Sequence, residues 1–240
     1  MIIKLKRVLI FFVVIVIVLT LLLSTGEHQD TLSPPSSLTI VIDAGHGGID
    51  GGAIGVVTGN KESELNLDIA LLLGEKLKNA GINVVYTRTD GNGLYGSLES
   101  GFKRRDMLAR KKIVQNASPD MVVSIHMNKF GLSSRRGAQV YFQKSDEVSG
   151  NLANCVQDNL NTFINIPQQN RTFAPMQGDF WMCKIVAPAV IVECGFLSNK
   201  EDDVLLDTLQ YRKNVAYYIF NGIMSYFALN SSFTFNYLDM

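Results

Sequence analysis

Leu38-Thr39-Ile40-Val41-Ile42-Asp43-Ala44-Gly45-His46-Gly47-Gly48 decides the fold of this chain. Leu38 to Ile42 is a continuous β-prone run, which predicts a strand buried on both faces, and Asp43 and Gly45 end it. After a glycine-rich loop, Leu65, Ile69, Leu72, Leu73 and Leu77 recur at helical spacing between Ser63 and Ala80, with Gly81 as the stop signal. Asn83 to Thr87 reads as the next strand. A second loop, marked by Gly91, Gly93, Gly96 and Gly101, leads into a charged helix over Lys103 to Gln115 and then the apolar strand Met121 to Ile125. Ala138 to Phe142 reads as a fourth strand, Val148 to Phe163 as a helix, Phe180 to Lys184 and Ala189 to Val192 as further strands. Glu201 to Asp207 and Leu209 to Leu229 read as closing helices. The alternation predicts an α/β fold, a single domain with a mostly parallel mixed sheet flanked by helices on both faces. The long polar loops Gly91 to Gly101 and Asn165 to Gly178 are expected to shape a substrate groove.

At 240 residues, 47% of them apolar, the chain is long enough for one ample core, which makes residues 38–230 the expected domain. Before it, Lys4, Lys6 and Arg7 precede an apolar run from Val8 to Leu23. Residues 1–23 therefore read as a signal peptide or an uncleaved membrane anchor that exports the domain, with the basic side kept inside. Residues 24–37, with Pro34-Pro35-Ser36-Ser37, read as a linker, and 231–240 as a tail without a signal. Outside the first 23 residues, 19 basic side chains face 22 acidic ones, which disfavours a nucleic-acid partner. Cys155, Cys183 and Cys194 are odd in number and widely spaced; they read as buried thiols and not as a disulfide framework.

Only three histidines exist, and two of them, His46 and His126, stand where a strand gives way to a loop. In an open α/β sheet the loops at the carboxyl ends of the strands converge on the ligand site. Glu193 at the end of Ala189 to Val192, and Glu62 at the start of the first helix, belong to the same edge. Two imidazoles and a carboxylate with an open fourth position are the usual set for a catalytic zinc, which acidifies a water molecule. An unpaired Glu193 in the run Pro188-Ala189-Val190-Ile191-Val192 would carry a heavy desolvation cost, which argues that it has a task. Gly45, Gly47 and Gly48 give the loop room to turn and leave space for substrate, and Asp43 and Asn128 are expected to hydrogen-bond the ligand rings or the loop backbone. Spacing alone leaves open which glutamate is the ligand.

Asp43-Ala44-Gly45-His46-Gly47-Gly48, the Glu62 region, Thr87-Arg88, Ser124-Ile125-His126-Met127-Asn128 and Val192-Glu193-Cys194-Gly195-Phe196-Leu197-Ser198-Asn199 together resemble the zinc-dependent N-acetylmuramoyl-L-alanine amidases of the type 3 amidase family, over residues 38–228. The resemblance implies zinc (Zn2+) held by His46, Glu62 and His126, with Glu193 as the catalytic carboxylate. It also implies a peptidoglycan glycan strand with its stem peptide as the substrate, cut at the amide between the lactyl group of muramic acid and L-alanine. Ser63 departs from the family's pattern after the acidic ligand, which makes Glu64 an alternative to Glu62. Arg88 and Asn128 are candidate oxyanion donors. The layout, with the stretch Pro188 to Glu193, is most similar to the germination-specific amidases of spore-forming bacteria, which act in spore cortex ahead of muramic-δ-lactam formation. An accessory protein is a further expectation. The rival readings are a zinc peptidase acting within the stem peptide and a non-catalytic wall-binding module.

Overall fold

The computed structural model of the protein describes residues 38–180, 184 and 187–230. The expected anchor, linker and tail lie outside the described residues. So does most of the strand expected at 180–184, whose described ends, Phe180 and Lys184, are not in a strand. The described chain runs β1 (Thr39–Ala44), α1 (Glu62–Asn79), β2 (Asn83–Tyr86), α2 (Phe102–Ala117), β3 (Met121–Asn128), β4 (Gln139–Gln143), α3 (Glu147–Leu160), a π-helical turn (Asn161–Asn165), α4 (Ile166–Gln169), β5 (Met176–Gly178), β6 (Ala189–Phe196), α5 (Lys200–Asp207) and α6 (Leu209–Leu229). Among the described residues no helix is long and apolar enough to cross a membrane.

The six strands form one mixed sheet in the order β2-β1-β3-β6-β4-β5. β2, β1, β3 and β6 are mutually parallel, whereas β4 runs antiparallel to β6 and β5 pairs parallel with β4. From β1 the chain crosses to β2 on one side and then returns to β3 on the other. The carboxyl ends of β1 and β3 are thus a topological switch point, with α1 and α2 on opposite faces of the sheet and a crevice outside the strand ends.

Strand periodicity sorts the side chains between those faces. Ile40, Ile42, Ala44, Val123, Ile125, Val190 and Val192 pack with Leu65, Ile69, Leu73 and Leu77 of α1, Leu152 and Val156 of α3, and Val215, Ile219 and Ile223 of α6. Each fully buried Ile or Leu contributes about 1.5–3 kcal/mol. The opposite face has a small cluster of Val41, Val122 and Ala189 under Val114 of α2. Helices therefore cover both faces unequally. On the thin side the alternate positions of the central strands are polar: Asp43, Ser124, His126 and Glu193.

α1 begins at Glu62 and ends where Gly81 takes a positive φ of 78°, with Lys76 and Lys78 in the last turn completing its dipole. β3 and β6 extend to Asn128 and Phe196, beyond the ends expected from sequence, so His126 and Glu193 lie within strands and face each other in register. Hydrogen bonding in a paired sheet carries these strands through polar residues that an apolar pattern reads as ends.

The expected loop Asn165–Gly178 contains α4 and β5, because β4 needs partners on its outer edge. β5 covers only Tyr141 to Gln143. The backbone before it is taken by amide side chains spaced four apart. Gln157 accepts from Val140 N (2.8 Å), Asn165 both accepts from Ala138 N (2.8 Å) and donates to Ala138 O (2.9 Å), and Gln169 donates to Arg136 O (3.1 Å). Asn161 joins this ladder to Phe173, accepting from its N (2.9 Å) and donating to its O (2.8 Å). Asn165→Leu should lower stability by about 2 kcal/mol, since it orphans the buried Ala138 N–H. A thermal melt showing no change would remove the ladder's structural role.

Candidate metal centre

His46 lies two residues past β1, Glu62 is the first residue of α1, and His126 and Glu193 stand side by side on β3 and β6. One ligand atom each from His46, Glu62 and His126 lies within 4.8 Å of the others. Glu62 Oε1 is 3.2 Å from His46 Nε2 and 3.0 Å from His126 Nδ1. A tetrahedral ion with bonds of about 2.0–2.1 Å spaces its ligand atoms about 3.3 Å apart, so the two imidazole-to-carboxylate separations suit zinc, as do the donor types. Backbone amides fix the carboxylate: Met127 N donates to Oε1 (3.1 Å) and Ala53 N to Oε2 (2.8 Å). Burial opposes its charge, but the hydrogen bonds from His126 and His46 hold it well below the usual carboxylate range.

Glu64 is exposed and faces Lys61 at 3.5 Å, which leaves Glu62 as the glutamate in the cluster. The other nitrogen of His46, Nδ1, meets Asp50 Oδ2 at 2.9 Å, and Lys103 Nζ meets Asp50 Oδ1 at 3.2 Å. A hydrogen bond at Nδ1 turns the Nε2 lone pair toward the other ligands, the usual arrangement behind a metal-bound imidazole. Burial disfavours the His46 imidazolium, but Glu62 and Asp50 outweigh it and raise the group to about 9. The one sequence signal for Asp50 is its place four residues after His46. It fills the role expected of Asp43 and Asn128, whose partners are different.

Asp43 is fully buried and collects Thr87 Oγ1 (2.7 Å), Ser124 Oγ (2.6 Å) and Arg110 Nη1 (2.6 Å). Burial works against its charge, but Arg110 and Ser124 hold it below the usual range. Arg110, also buried, donates further to Ala44 O (2.7 Å), His46 O (2.5 Å) and Asp106 Oδ2 (2.6 Å). It therefore clamps the turn in which His46 takes a left-handed φ of 61°, a conformation that costs a non-glycine residue about 1–2 kcal/mol. Nothing in the sequence separates Arg110 from the solvated charges of α2 beyond its position four after Asp106. Arg110→Met should destabilise the protein by about 3–5 kcal/mol, because two carboxylates lose their buried counter-charge. It should also weaken metal binding, measured by chelator competition; unchanged affinity would show that the clamp does not position His46.

Arg88 is buried and spent on backbone carbonyls of Ala44 (2.8 Å), Gly45 (2.9 Å), Ser63 (2.7 Å) and Asp90 (2.8 Å). Those bonds aim it away from the expected oxyanion role. Asn128 lines the cleft, and its amide donates to Tyr141 Oη at 3.3 Å. Gly45 makes room for a ligand ring more than for substrate, since a Cβ there would overlap the His126 imidazole. Cys194 is buried and outside the ligand cluster, while Cys155 is half-buried on α3, less enclosed than expected. Cys183 lies outside the described residues.

Glu193 faces His126 across the strand pair, with Oε2 buried and without a hydrogen-bond partner among the described residues. Burial, reinforced by Glu62, pushes its carboxyl up to about 7 against the opposing pull of His126. A group that exchanges its proton near neutrality, beside three potential metal ligands, is suited to general acid–base work.

The sequence matches the N-acetylmuramoyl-L-alanine amidase family over residues 40–225. It is 30% identical over 197 residues to the germination-specific N-acetylmuramoyl-L-alanine amidase of Bacillus subtilis, covering 81% of each chain. The structure resembles that of the CwlD amidase from Clostridioides difficile, solved in complex with the GerS lipoprotein, with a TM-score of 0.76 and 34% identity over 80% of this chain and 100% of that one. It also resembles an N-acetylmuramoyl-L-alanine amidase from Clostridium difficile 630, with a TM-score of 0.71 and 29% identity over 82% and 99% of the two chains.

Proposed function

The chain belongs to the N-acetylmuramoyl-L-alanine amidase family and so acts on peptidoglycan, and on that premise we propose that His46, Glu62 and His126 hold one zinc ion while Glu193 carries the proton. The observation that supports this most is the meeting of the three ligand atoms within 4.8 Å beside a buried carboxyl whose second oxygen has no partner among the described residues.

When bound, the ion supplies a Lewis acid to the scissile carbonyl and lowers the pKa of water. Glu193, ionised, takes a proton from the attacking water and returns it to the departing L-alanine nitrogen. One carboxylate serves both transfers because it is the same group before and after each turnover. Asp50 holds the His46 ring and Arg110 holds its backbone, so the ligands are oriented before substrate arrives.

The substrate we propose is spore cortex, on the likeness to the germination-specific enzyme of Bacillus subtilis and to CwlD. The CwlD neighbour, solved with a lipoprotein, supports an accessory protein for this chain as well. Export across a membrane, with anchoring or cleavage at residues 1–23, rests on the basic and apolar pattern there. Mass analysis of muropeptides released by the zinc-loaded protein tests the reaction. New L-alanine amino termini are expected, whereas free D-alanine would identify a peptidase and no release a silent binding module. Comparing cortex with vegetative wall as substrate then decides between the two walls.

A further inference from the structure

A second cavity opens beside the metal centre on the thin face of the sheet. The open cleft over the ligands, about 480 Å³, is lined by Glu62, Glu193, Asn128 and Lys129 among others. The neighbouring crevice, about 380 Å³, lies between α2, the loop carrying Tyr95, and Phe180. Its apolar lining is Tyr95, Phe102, Met107, Phe180 and Ile191. Both cavities reach His46, Asp50, Lys103 and His126, so a molecule lying across those residues would have one end in each. Both volumes fall in the range of ligand sites, about 300–1,000 Å³.

The two cavities differ in chemistry. In the crevice the rings are held before any ligand arrives. Tyr95 and Phe102 meet edge to face at 5.5 Å, and Phe180 meets Tyr141 in the same manner at 5.5 Å. Tyr95 Oη accepts from Ile49 N at 2.9 Å, and Arg105 donates to Tyr95 O at 3.1 Å. Among the described residues the crevice has no cation to spare for a carboxylate. Arg110 is consumed by Asp43, Asp106 and two carbonyls, and Lys103 at the shared mouth faces Asp50. In the open cleft, by contrast, Lys129 is in no ion pair among the described residues.

A peptide bearing at least its terminal carboxylate is matched to the side that carries Lys129. A sugar ring, uncharged once its lactyl group is in amide linkage, is matched to aromatic faces that stack on its C–H surface. We propose that the crevice of Tyr95, Phe102, Met107, Phe180 and Ile191 is the subsite for the muramic acid end of the substrate. The scissile amide then lies over His46 and His126 and the stem peptide in the open cleft. This assignment rests on the amidase reading and orients the substrate within it.

The test uses two substrate fragments with the zinc-loaded full chain. One is the peptide-free disaccharide of N-acetylglucosamine and N-acetylmuramic acid, its lactyl group capped as the methylamide; the other is the free stem tripeptide. Phe102→Ala and Phe180→Ala should each weaken the disaccharide about tenfold, as loss of an aromatic contact does, and leave the tripeptide unchanged. Lys129→Ala should do the reverse. Zinc stoichiometry checks folding, and Phe102→Leu, which keeps an apolar side chain but no ring, replaces Phe102→Ala if that variant fails it. Unchanged disaccharide binding in the aromatic variants, a loss of tripeptide binding instead, or no disaccharide binding by the unaltered enzyme would overturn the assignment. Release of L-alanine amino termini by the unaltered enzyme is followed in the same preparation. Cleavage without the expected fragment pattern defeats only the subsite, and absence of cleavage defeats the amidase reading.

Discussion

Glu193→Gln is expected to reduce hydrolysis of peptidoglycan about a thousandfold while the protein keeps its zinc, since a positioned acid–base group contributes about 10²–10⁴. The amide preserves shape but cannot accept and return a proton. The same substitution should make the metal-free protein more stable above neutral pH. Burial raises this carboxyl from 4.5 to about 7, so its neutral form is the one the folded state favours. The stability that comes from this preference is fully present below pH 4.5 and is lost as the pH rises through 7. At pH 8 the ionised carboxylate therefore burdens the fold by up to about 3 kcal/mol, at about 1.4 kcal/mol per pKa unit. Denaturant titration of both metal-free proteins at pH 4 and pH 8 checks it. A gap that fails to widen at pH 8 would show that Glu193 is not held neutral by burial. Loss of zinc in the variant would make Glu193 a ligand instead of a proton carrier.

Glu62→Ala should lower zinc affinity by more than about a hundredfold, beyond the loss caused by removing an outer partner. It takes away one donor and also the acceptor that Met127 N and Ala53 N use, so the neighbouring backbone loses its anchor too. Glu64→Ala, at an exposed position, should leave affinity unchanged; the reverse result would exchange the two residues' roles. Zinc uptake should be proton-linked. His46 in the metal-free protein is charged below about pH 9 and must shed that proton to bind, so affinity should rise as pH approaches 9. Chelator competition across pH 6 to 9 measures both effects.

The alternation that predicts the α/β class is legible because buried parallel strands and amphipathic helices write long, regular patterns. The strand ends are not, since β3 and β6 continue through His126 and Glu193 by backbone pairing that side-chain polarity conceals. β5, three residues long, has no periodicity to find. Topology alone is enough to place His46 and His126 on one edge. The residue-level resemblance points to Glu62 and Glu193, whereas Asp50 and Arg110 stay hidden, because a carboxylate in a loop and an arginine on a charged helix look solvated in one dimension. Asp43 explains part of what the motifs share: Thr87 and Ser124, from two of them, converge on its carboxylate together with Arg110 of α2.

The π-helical turn after α3 gives the outer half of the sheet an angular vernier. Gln157, Asn161, Asn165 and Gln169 stand at a uniform interval of four, which overshoots a full turn of α-helix by about 40° each time. A π segment of about 4.4 residues per turn falls short over the same interval by about 30°, and so resets the sequence of amides toward β4. Deleting one residue within Asn161–Asn165 and restoring an ordinary helix would put three steps of about 100° where the π segment makes four of about 82°, so Asn165 and Gln169 would turn by only about 30°. The extra residue of the π turn is what lets the amides keep an interval of four while staying aimed at β4.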